Sequence, residues 1–200
     1  MAIAALIMAA GQSSRFNGCK LLARLNNESM LQLAINKISA LGIDNIFIIT
    51  GAWHDDILQA QKKGEITGGK ILHNSDWAEG LGCSIAYGVS AIADKYDAIL
   101  ITLADQVAIT TAHLSQLLVE HNTRPHNKEA IVCATYQGKR GVPAIFPKNC
   151  FAHLMTLSGD QGAKKLLSMS SFCLIECDIP LAAVDIDTQQ EFLCWQKSTE

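Results

Sequence analysis

Two spacings of hydrophobic residues alternate along the chain, and together they predict its architecture. Short runs that are mostly apolar predict strands at 2–8, 46–50, 70–73 and 98–103. Such short runs of nearly continuous hydrophobicity are typical of parallel strands that are buried on both faces of a sheet. Between these runs, apolar positions at helical spacing predict helices at 30–41, 54–63, 85–93 and 111–121.

Beyond residue 122 the alternation is interrupted by a predicted hairpin. Strands at 130–136 and 142–146 are joined by the turn Gly138-Lys139-Arg140-Gly141. The pattern then predicts a helix at 161–169, strands at 172–177 and 182–186, and a helix at 188–197. The fold class that follows is α/β, a three-layer α/β/α sandwich around a mostly parallel, Rossmann-like central sheet. Because no repeat or linker divides the chain, we expect a single domain over residues 1–200.

Composition narrows the classes of partner. The chain has 200 residues, with Lys+Arg 16 and Asp+Glu 19, so that its net charge is 16 − 19 = −3. Without a basic tract to neutralise a phosphate backbone, a nucleic-acid partner is not expected. No apolar run approaches the roughly 20 residues that span a bilayer, so no membrane segment is expected. The 7 cysteines include no Cys-x-x-Cys pair, which favours reduced thiols in a cytoplasmic protein.

A glycine loop follows the first predicted strand and reads Ala9-Ala10-Gly11-Gln12-Ser13-Ser14-Arg15, with Lys20 five residues later. Glycine and small neighbours allow a ligand to approach the backbone closely, and consecutive N–H groups can bind an anion. Two common phosphate loops are excluded. The Walker pattern needs a glycine before its lysine and a Ser or Thr after it, whereas Lys20 follows Cys19 and precedes Leu21. The dinucleotide fingerprint needs a second glycine at position 13, which is Ser13 here.

Three acidic residues are expected at or near the same edge of the sheet as this loop. Asp105 comes shortly after the strand at 98–103, at the same edge of the sheet as the glycine loop. Asp185 and Asp187 alternate along an extended segment and therefore point the same way. Each also has an ordinary structural interpretation, as a turn former or as the cap of the following helix.

The loop resembles the signature loop of the nucleotidyltransferases with a glycosyltransferase-A-like fold. Within that group the chain is most similar to the molybdenum cofactor nucleotidyltransferases. Four further segments occur in the family's order and span nearly the whole chain: His73-Asn74-Ser75-Asp76-Trp77-Ala78-Glu79-Gly80 with Ser84, Leu103-Ala104-Asp105-Gln106, Gly141-Val142-Pro143-Ala144-Ile145-Phe146 and Asp185-Ile186-Asp187-Thr188.

This resemblance implies the roles of individual residues. The expected catalytic residues are Lys20, at the α-phosphate, Arg15, at the outer phosphates, and Asp105. The expected nucleotide-binding residues are Ala9, Ala10, Gly11, Ser13, Arg15, Lys20, Asn74, Gly80 and Ser84. A Mg²⁺ cofactor is expected on Asp105 and Asp187, with Asp185 as the alternative second ligand. Val107 stands where the family usually carries a proline, which removes a rigid turn residue but no ligand.

The resemblance also implies the reaction and its partners. A phosphate oxygen of a small-molecule acceptor attacks the α-phosphorus of a nucleoside triphosphate and expels pyrophosphate. Cytidylyl-transferring relatives carry Ala-Ala-Gly where guanylyl-transferring relatives carry Ala-Gly-Gly. The sequence Ala9-Ala10-Gly11 therefore favours CTP. The implied acceptor is the phosphate of molybdopterin, and a molybdoenzyme is a possible client protein.

Other interpretations stay open at this stage. The same pocket would serve a non-catalytic protein that binds or inserts a nucleotide cofactor, or an enzyme that acts on a sugar or polyol phosphate. Asp160 is equally consistent with a helix cap and with a residue near the acceptor. Lys139 and Arg140 are expected in solvent at the hairpin tip, although they could hold an acceptor phosphate. His73 is given no catalytic role, and a dinucleotide-dependent oxidoreductase is disfavoured.

Overall fold

The computed structural model describes residues 2–25, 27–123, 129–169 and 171–198. Its strands are β1 (Ile3–Ala9), β2 (Arg24–Leu25), β3 (Glu28–Ser29), β4 (Ile46–Thr50), β5 (Lys70–His73), β6 (Ala98–Leu103), β7 (Ile131–Tyr136), β8 (Lys139–Pro147) and β9 (Leu174–Asp178). Seven of them form one sheet in the order β5-β4-β1-β6-β8-β7-β9, and β2 pairs with β3 as a separate ribbon.

The central sheet is mostly parallel, as the hydrophobic runs predict. β1 pairs in parallel with both β4 and β6, whereas β8 is antiparallel to its two neighbours, β6 and β7. The register aligns Met8 of β1 with Leu103 of β6. The loops that leave these two strands therefore begin side by side, at the carboxyl edge where open α/β sheets bind ligands.

Helices cover both faces of the sheet and give the predicted three layers. They are α1 (Met30–Ser39), α2 (His54–Lys62), α3 (Leu81–Ile92), α4 (Thr111–Thr123), α5 (Phe151–Leu154), α6 (Lys164–Leu167) and α7 (Gln189–Ser198). Apolar residues of α1, α2 and α4 pack on one face, and those of α3, α5 and α6 on the other. Within the described residues no helix has the length and apolar character needed to cross a membrane.

A third, smaller apolar cluster ties the glycine loop to the C-terminal segment. Phe16, Leu25, Met30 and Ile186 are buried in it, and the ring of Phe192 in α7 meets the ring of Phe16 edge to face at 5.7 Å. Since Phe16 follows Arg15 and Ile186 precedes Asp187, this packing brings two predicted site residues together.

Two predicted elements of the C-terminal part are wrong. Residues 182–186 are not a strand, because Pro180–Ala183 form a 3-10 helix and the carbonyl of Ala182 accepts a side-chain hydrogen bond from Gln106 at 2.9 Å. The predicted helix at 161–169 contracts to α6, because Gly162 has a φ of 55° and interrupts a helix at that point.

The hairpin is tighter than the sequence pattern predicts. The turn consists of Gln137 and Gly138, both with positive φ (51° and 69°), as a two-residue type I′ connection requires. Lys139 and Arg140 therefore belong to β8 and not to the turn. The ribbon of β2 and β3 and the short helix α5 are further elements that the pattern did not predict. Ser29 caps α1, and its hydroxyl accepts a hydrogen bond from the backbone N–H of Gln32 at 3.1 Å.

Candidate active site

A cavity of about 240 Å³ lies at the carboxyl ends of β1 and β6. Its wall combines the glycine loop with the acidic segments that follow β6 and precede α7. Seven of the predicted site residues line it: Ala9, Gly11, Ser13, Arg15, Lys20, Asp105 and Asp187. Residues from three distant parts of the sequence thus meet at one site.

Lys20 is the centre of this arrangement. Its ammonium donates to Asp105 Oδ2 at 2.6 Å, to the carbonyl of Ile186 at 2.9 Å and to Asp187 Oδ1 at 3.0 Å. The Lys20 side chain is only 11% exposed. Arg15 binds the other oxygen of Asp187 at 2.5 Å, so that one carboxylate is shared by both cations.

The charges of the cluster shift the pKa values of its members in opposite directions. Burial alone would lower the pKa of Lys20, but Asp105 and Asp187 outweigh burial and raise it above its usual 10.5. Burial likewise acts to raise the pKa of Asp187, but the hydrogen bonds and charges of Lys20 and Arg15 lower it below 3.8. Lys20 and Asp187 are therefore both charged at neutral pH.

The surroundings of Asp185 disfavour its ionised form. Burial, and then the charges of Asp187 and Asp105, raise the pKa of Asp185 above its ordinary 3.8. With Glu191, whose carboxylate accepts from the backbone N–H of Asp187 at 2.9 Å, four carboxylates and two cations share this region, and their formal sum is −4 + 2 = −2. An excess of negative charge in a partly buried site favours the binding of a further cation.

Asp105 and Asp187 are the candidate ligands for a magnesium ion in this cavity. Asp105 Oδ1 is buried and finds no hydrogen-bond partner among the described residues, and leaving such an oxygen unpaired is costly. Mg²⁺ binds through one or two carboxylates together with phosphate oxygens and water. The described ranges contain no cluster of three or more His, Cys, Asp or Glu that could hold a metal. A metal ion at Asp105 and Asp187 would therefore need further ligands from a bound substrate or from water.

The glycine loop is held in place from outside the cavity. The backbone N–H of Ala52 donates to the carbonyl of Ala10 at 3.2 Å, and the indole N–H of Trp53 donates to the carbonyl of Gln12 at 2.8 Å. Both donors follow β4, the neighbour of β1. A side chain at Gly11 would meet no atom within 4 Å, so this glycine borders open space that a ligand can enter.

Four predicted nucleotide-binding residues lie outside the wall of this cavity. Ala10 is nearly buried and contributes its carbonyl to the contact with Ala52. Asn74 and Ser84 are buried and bonded to each other, Nδ2 to Oγ, at 3.1 Å. Gly80 packs against the backbone of Gly159. These positions shape the segments between β5 and α3, and their contact with a nucleotide stays a prediction.

A second cavity, of about 310 Å³, lies beside the reversed strand β8. Its walls include apolar side chains such as Leu103 and Val142, and polar groups from Gln106, Asp160 and Asp185. Because Asp185 and Asp187 flank Ile186, the two cavities meet at the acidic segment. Asp185 lines the second cavity and Asp187 the first, so both cavities border the segment 185–187.

The structure settles the position of the residues around this second cavity. Arg140 is exposed, as expected, and its guanidinium also binds Glu176 at 2.6 Å and donates to the carbonyl of Leu167 at 3.2 Å. Lys139 is exposed on the rim. Asp160 is not the cap of α6, whose N-cap position is Ala163. His73 stacks on His54 at 3.9 Å and lies outside both cavities.

Comparison with known proteins identifies the class. Residues 5–173 match the family described as the MobA-like NTP transferase domain. The chain belongs to this family, and it is therefore a nucleotidyltransferase.

Similar curated proteins differ in their names. PucB, a purine catabolism protein of Bacillus subtilis, is 27% identical over 94% of this chain and 92% of the relative. Nicotine blue oxidoreductase of Paenarthrobacter nicotinovorans is 25% identical over 94% of both chains. Molybdenum cofactor cytidylyltransferase of Escherichia coli is 23% identical over 96% of this chain and 94% of the relative. At such identities the family is shared but the substrate is not determined.

Solved structures confirm the fold. A Methanothermobacter nucleotidyl transferase superposes with a TM-score of 0.79 at 20% identity, covering 98% of this chain and 97% of that one. Rv0371C of Mycobacterium tuberculosis, in a complex with manganese, superposes with a TM-score of 0.77 at 20% identity, covering 99% and 100%.

Two residues that support the site could not be found from the sequence. Trp53 anchors the glycine loop, and Lys37 of α1 donates to the carbonyl of Val107 at 2.9 Å, two residues after Asp105. Both act through backbone carbonyls of distant segments, and no motif marks such contacts. The sequence gives one weak signal for Lys37. It lies three residues after Ala34 and four after Leu33, which places it beside apolar positions of the predicted helix.

Proposed function

We propose that this protein transfers CMP from CTP to the phosphate of molybdopterin and releases pyrophosphate. The observation that carries the proposal is the position of the Lys20 ammonium, which contacts both Asp105 and Asp187 directly beneath the glycine loop. A lysine and an arginine are then available to neutralise the charge of a triphosphate whose metal ion is held by the two aspartates.

The reaction needs no catalytic base, because a phosphate nucleophile is already ionised at neutral pH. An oxygen of the acceptor phosphate forms a bond to the α-phosphorus of CTP. The bond from that phosphorus to the bridging oxygen breaks, and its electron pair leaves with pyrophosphate. The protein contributes alignment and charge neutralisation, for which Lys20 and Arg15 are the candidates.

We assign the acceptor to the second cavity, beside β8. Its mixed lining suits an organic molecule with a polar rim, and Lys139 and Lys164 on its wall bring positive charge toward an anionic acceptor. The presence of Asp185 in the wall of this cavity supports an acceptor phosphate close to the proposed metal ligands.

The proposals of CTP as donor, Mg²⁺ as cofactor and molybdopterin as acceptor are each supported by a different observation. Ala10 before Gly11 favours the smaller base, and one curated relative is a molybdenum cofactor cytidylyltransferase. Two carboxylates match the coordination habits of Mg²⁺. We place the reaction in the cytoplasm, where the free thiols of this chain stay reduced, and a molybdoenzyme as the client that receives the product.

Pyrophosphate release tests the proposal. Wild-type protein with CTP, Mg²⁺ and molybdopterin should release pyrophosphate, and GTP should support a much lower rate. Lys20→Met should reduce the rate by roughly 10²-fold or more, as the loss of one contact to a developing charge does in comparable sites. Lys62→Met, in an exposed lysine of α2, is the matched control and should keep the wild-type rate.

Two outcomes would contradict the proposal in different ways. Binding of CTP with no pyrophosphate release would favour a non-catalytic protein that carries or inserts a nucleotide cofactor. Release that needs a sugar phosphate or a polyol phosphate in place of molybdopterin would keep the chemistry and change the acceptor.

A further inference from the structure

Three successive kinds of hydrogen bond hold the turn that carries Asp105, and they involve Ala104, Gln106 and Val107. The backbone N–H of Ala104 donates to the carbonyl of Met8 in β1 at 3.2 Å. The buried side chain of Gln106 donates to the carbonyls of Val142 and Ala182 at 3.0 and 2.9 Å. The third bond is to the carbonyl of Val107, which accepts from the Lys37 ammonium at 2.9 Å.

Lys37 is in an unusual position for a lysine. It lies in the last turn of α1, where a cation ordinarily interacts with the carbonyls of its own helix. Its ammonium instead donates to a different segment, and among the described residues no carboxylate forms an ion pair with it. Because a half-buried charge without a counter-ion is costly, the packing of this side chain needs a reason other than stability.

Val107 connects that ammonium to the acid. The backbone N–H of Val107 donates to the carbonyl of Asp105 at 2.9 Å, so the two residues form one tight turn. A displacement of Val107 therefore reaches the carbonyl of Asp105 through this hydrogen bond. Asp105 in turn has one oxygen on Lys20 and one buried oxygen that finds no hydrogen-bond partner in the described ranges.

We propose that Lys37 is a positioning residue, which holds the Val107 carbonyl and thereby sets the Asp105 carboxylate for the metal ion. The proposal rests on the assignment of Asp105 as a metal ligand in the proposed function. Burial lowers the pKa of Lys37 to about 8, as expected for an ammonium that has no ion-pair partner within the described residues.

Metal affinity and stability together test this role. The probe is Mn²⁺ in the presence of CTP, with free Mn²⁺ measured by electron paramagnetic resonance, and urea unfolding is measured on the same samples. Lys37→Met should weaken Mn²⁺ binding about tenfold or more, as loss of a partner that orients a ligand does. Its free energy of unfolding should be unchanged or higher, because a desolvated charge has been removed. Lys37→Arg, which keeps a donor, should recover most of the affinity.

Controls separate positioning from general damage. Lys62→Met removes an exposed lysine from the last turn of α2 and should change neither quantity. In an Asp105→Asn background, Lys37→Met should cause no further loss of Mn²⁺ affinity, since its effect passes through that carboxylate. The proposal is overturned if Lys37→Met binds Mn²⁺ as the wild type does, or if its loss of affinity parallels a loss of stability.

The result is independent of the acceptor. A Lys37 effect on Mn²⁺ binding in a protein that releases no pyrophosphate with molybdopterin would remove the proposed reaction and keep the positioning role. Normal pyrophosphate release together with normal Mn²⁺ binding by Lys37→Met would remove the positioning role alone.

Discussion

The ammonium of Lys20 uses all three of its N–H donors, on Asp105, the carbonyl of Ile186 and Asp187. A ligand phosphate can therefore reach this ammonium only by replacing one of these acceptors. The arrangement keeps a buried cation fully paired before the ligand binds, which limits the cost of placing it beneath the glycine loop.

Asp185 and Asp187 should respond to pH with opposite signs. The lowered pKa of Asp187 means that its contribution to stability is present above pH 3.8 and is lost as pH falls through its folded-state pKa. The raised pKa of Asp185 means that its ionised form destabilises the protein above its folded-state pKa, an effect that disappears below pH 3.8.

Urea unfolding of two variants checks these signs. Asp187→Asn should be less stable than wild type at pH 7 and should approach it at pH 2. Asp185→Asn should be more stable than wild type at pH 7 and should also approach it at pH 2. The same sign for both variants at pH 7 would contradict the assignment of charges in the cluster.

For individual residues, the sequence predicts the charged side chains of the cavity but not the side chains that hold their backbone segments in place. Lys20, Asp105 and Asp187 follow strands or motifs whose ends can be placed on one edge of a sheet. Lys37 and Trp53 contact backbone carbonyls far away in the sequence. Such contacts depend on the rotation of a helix and on the path of a loop, and neither can be derived from residue type.

The glycine loop is an element whose two sides differ sharply in the space around them. Gly11 borders open space, whereas a Cβ at Gly51, just after β4, would lie 2.7 Å from the carbonyl of Ala10 and would overlap the side chain of Trp77. The loop is thus packed tightly where it meets β4 and open where it faces the cavity.

Alanine substitutions distinguish these two sides. Gly11→Ala should leave the free energy of unfolding near the wild-type value and weaken CTP binding about tenfold, because the new methyl group occupies ligand space at a cost of about 1–3 kcal/mol. Gly51→Ala should lose about 1–3 kcal/mol of stability or more, since its methyl group must displace backbone. Urea unfolding and titration of CTP, followed by tryptophan fluorescence, measure both effects. Equal losses of stability in the two variants would refute this description of the loop.

The strands are predicted correctly where both of their faces are buried, because burial requires a continuous apolar run. The prediction fails where a side chain from elsewhere in the chain bonds to the backbone of the segment. The strands around β1 are continuous apolar runs, and the structure has them within one or two residues of the predicted bounds. The segment at 182–186 has a similar composition, but Gln106 bonds the carbonyl of Ala182 and a 3-10 helix replaces the strand. A side chain 76 positions away decides that local structure.

For the molecule as a whole, nucleotide binding is coupled to folding stability. A ligand that binds only the folded chain raises stability by mass action, by about 2.7 kcal/mol at a concentration 100 times its Kd. For a chain of this size that corresponds to a rise in Tm of roughly 5–10 °C. The effect reports binding without any acceptor.

Thermal unfolding with each of the four nucleoside triphosphates therefore tests base selection. With Mg²⁺ present, CTP should give the largest rise in Tm, and Asp105→Ala should lose the part of the rise that depends on Mg²⁺. Equal rises with CTP and GTP would exclude selection for the smaller base. A rise that persists in Asp105→Ala would exclude this residue as a metal ligand.

The ion pair between Arg15 and Asp187 joins positions that are 172 residues apart in the sequence. Contacts of such long range form late in folding, because the chain must first lose the entropy of closing a very large loop. The parallel pairings of β1, β4, β5 and β6 do not involve the segment at 185–187, but without that segment the cavity lacks one of its two carboxylates. A nascent or truncated chain that ends between residues 178 and 187 would thus contain all seven strands of the sheet and be unable to complete the site.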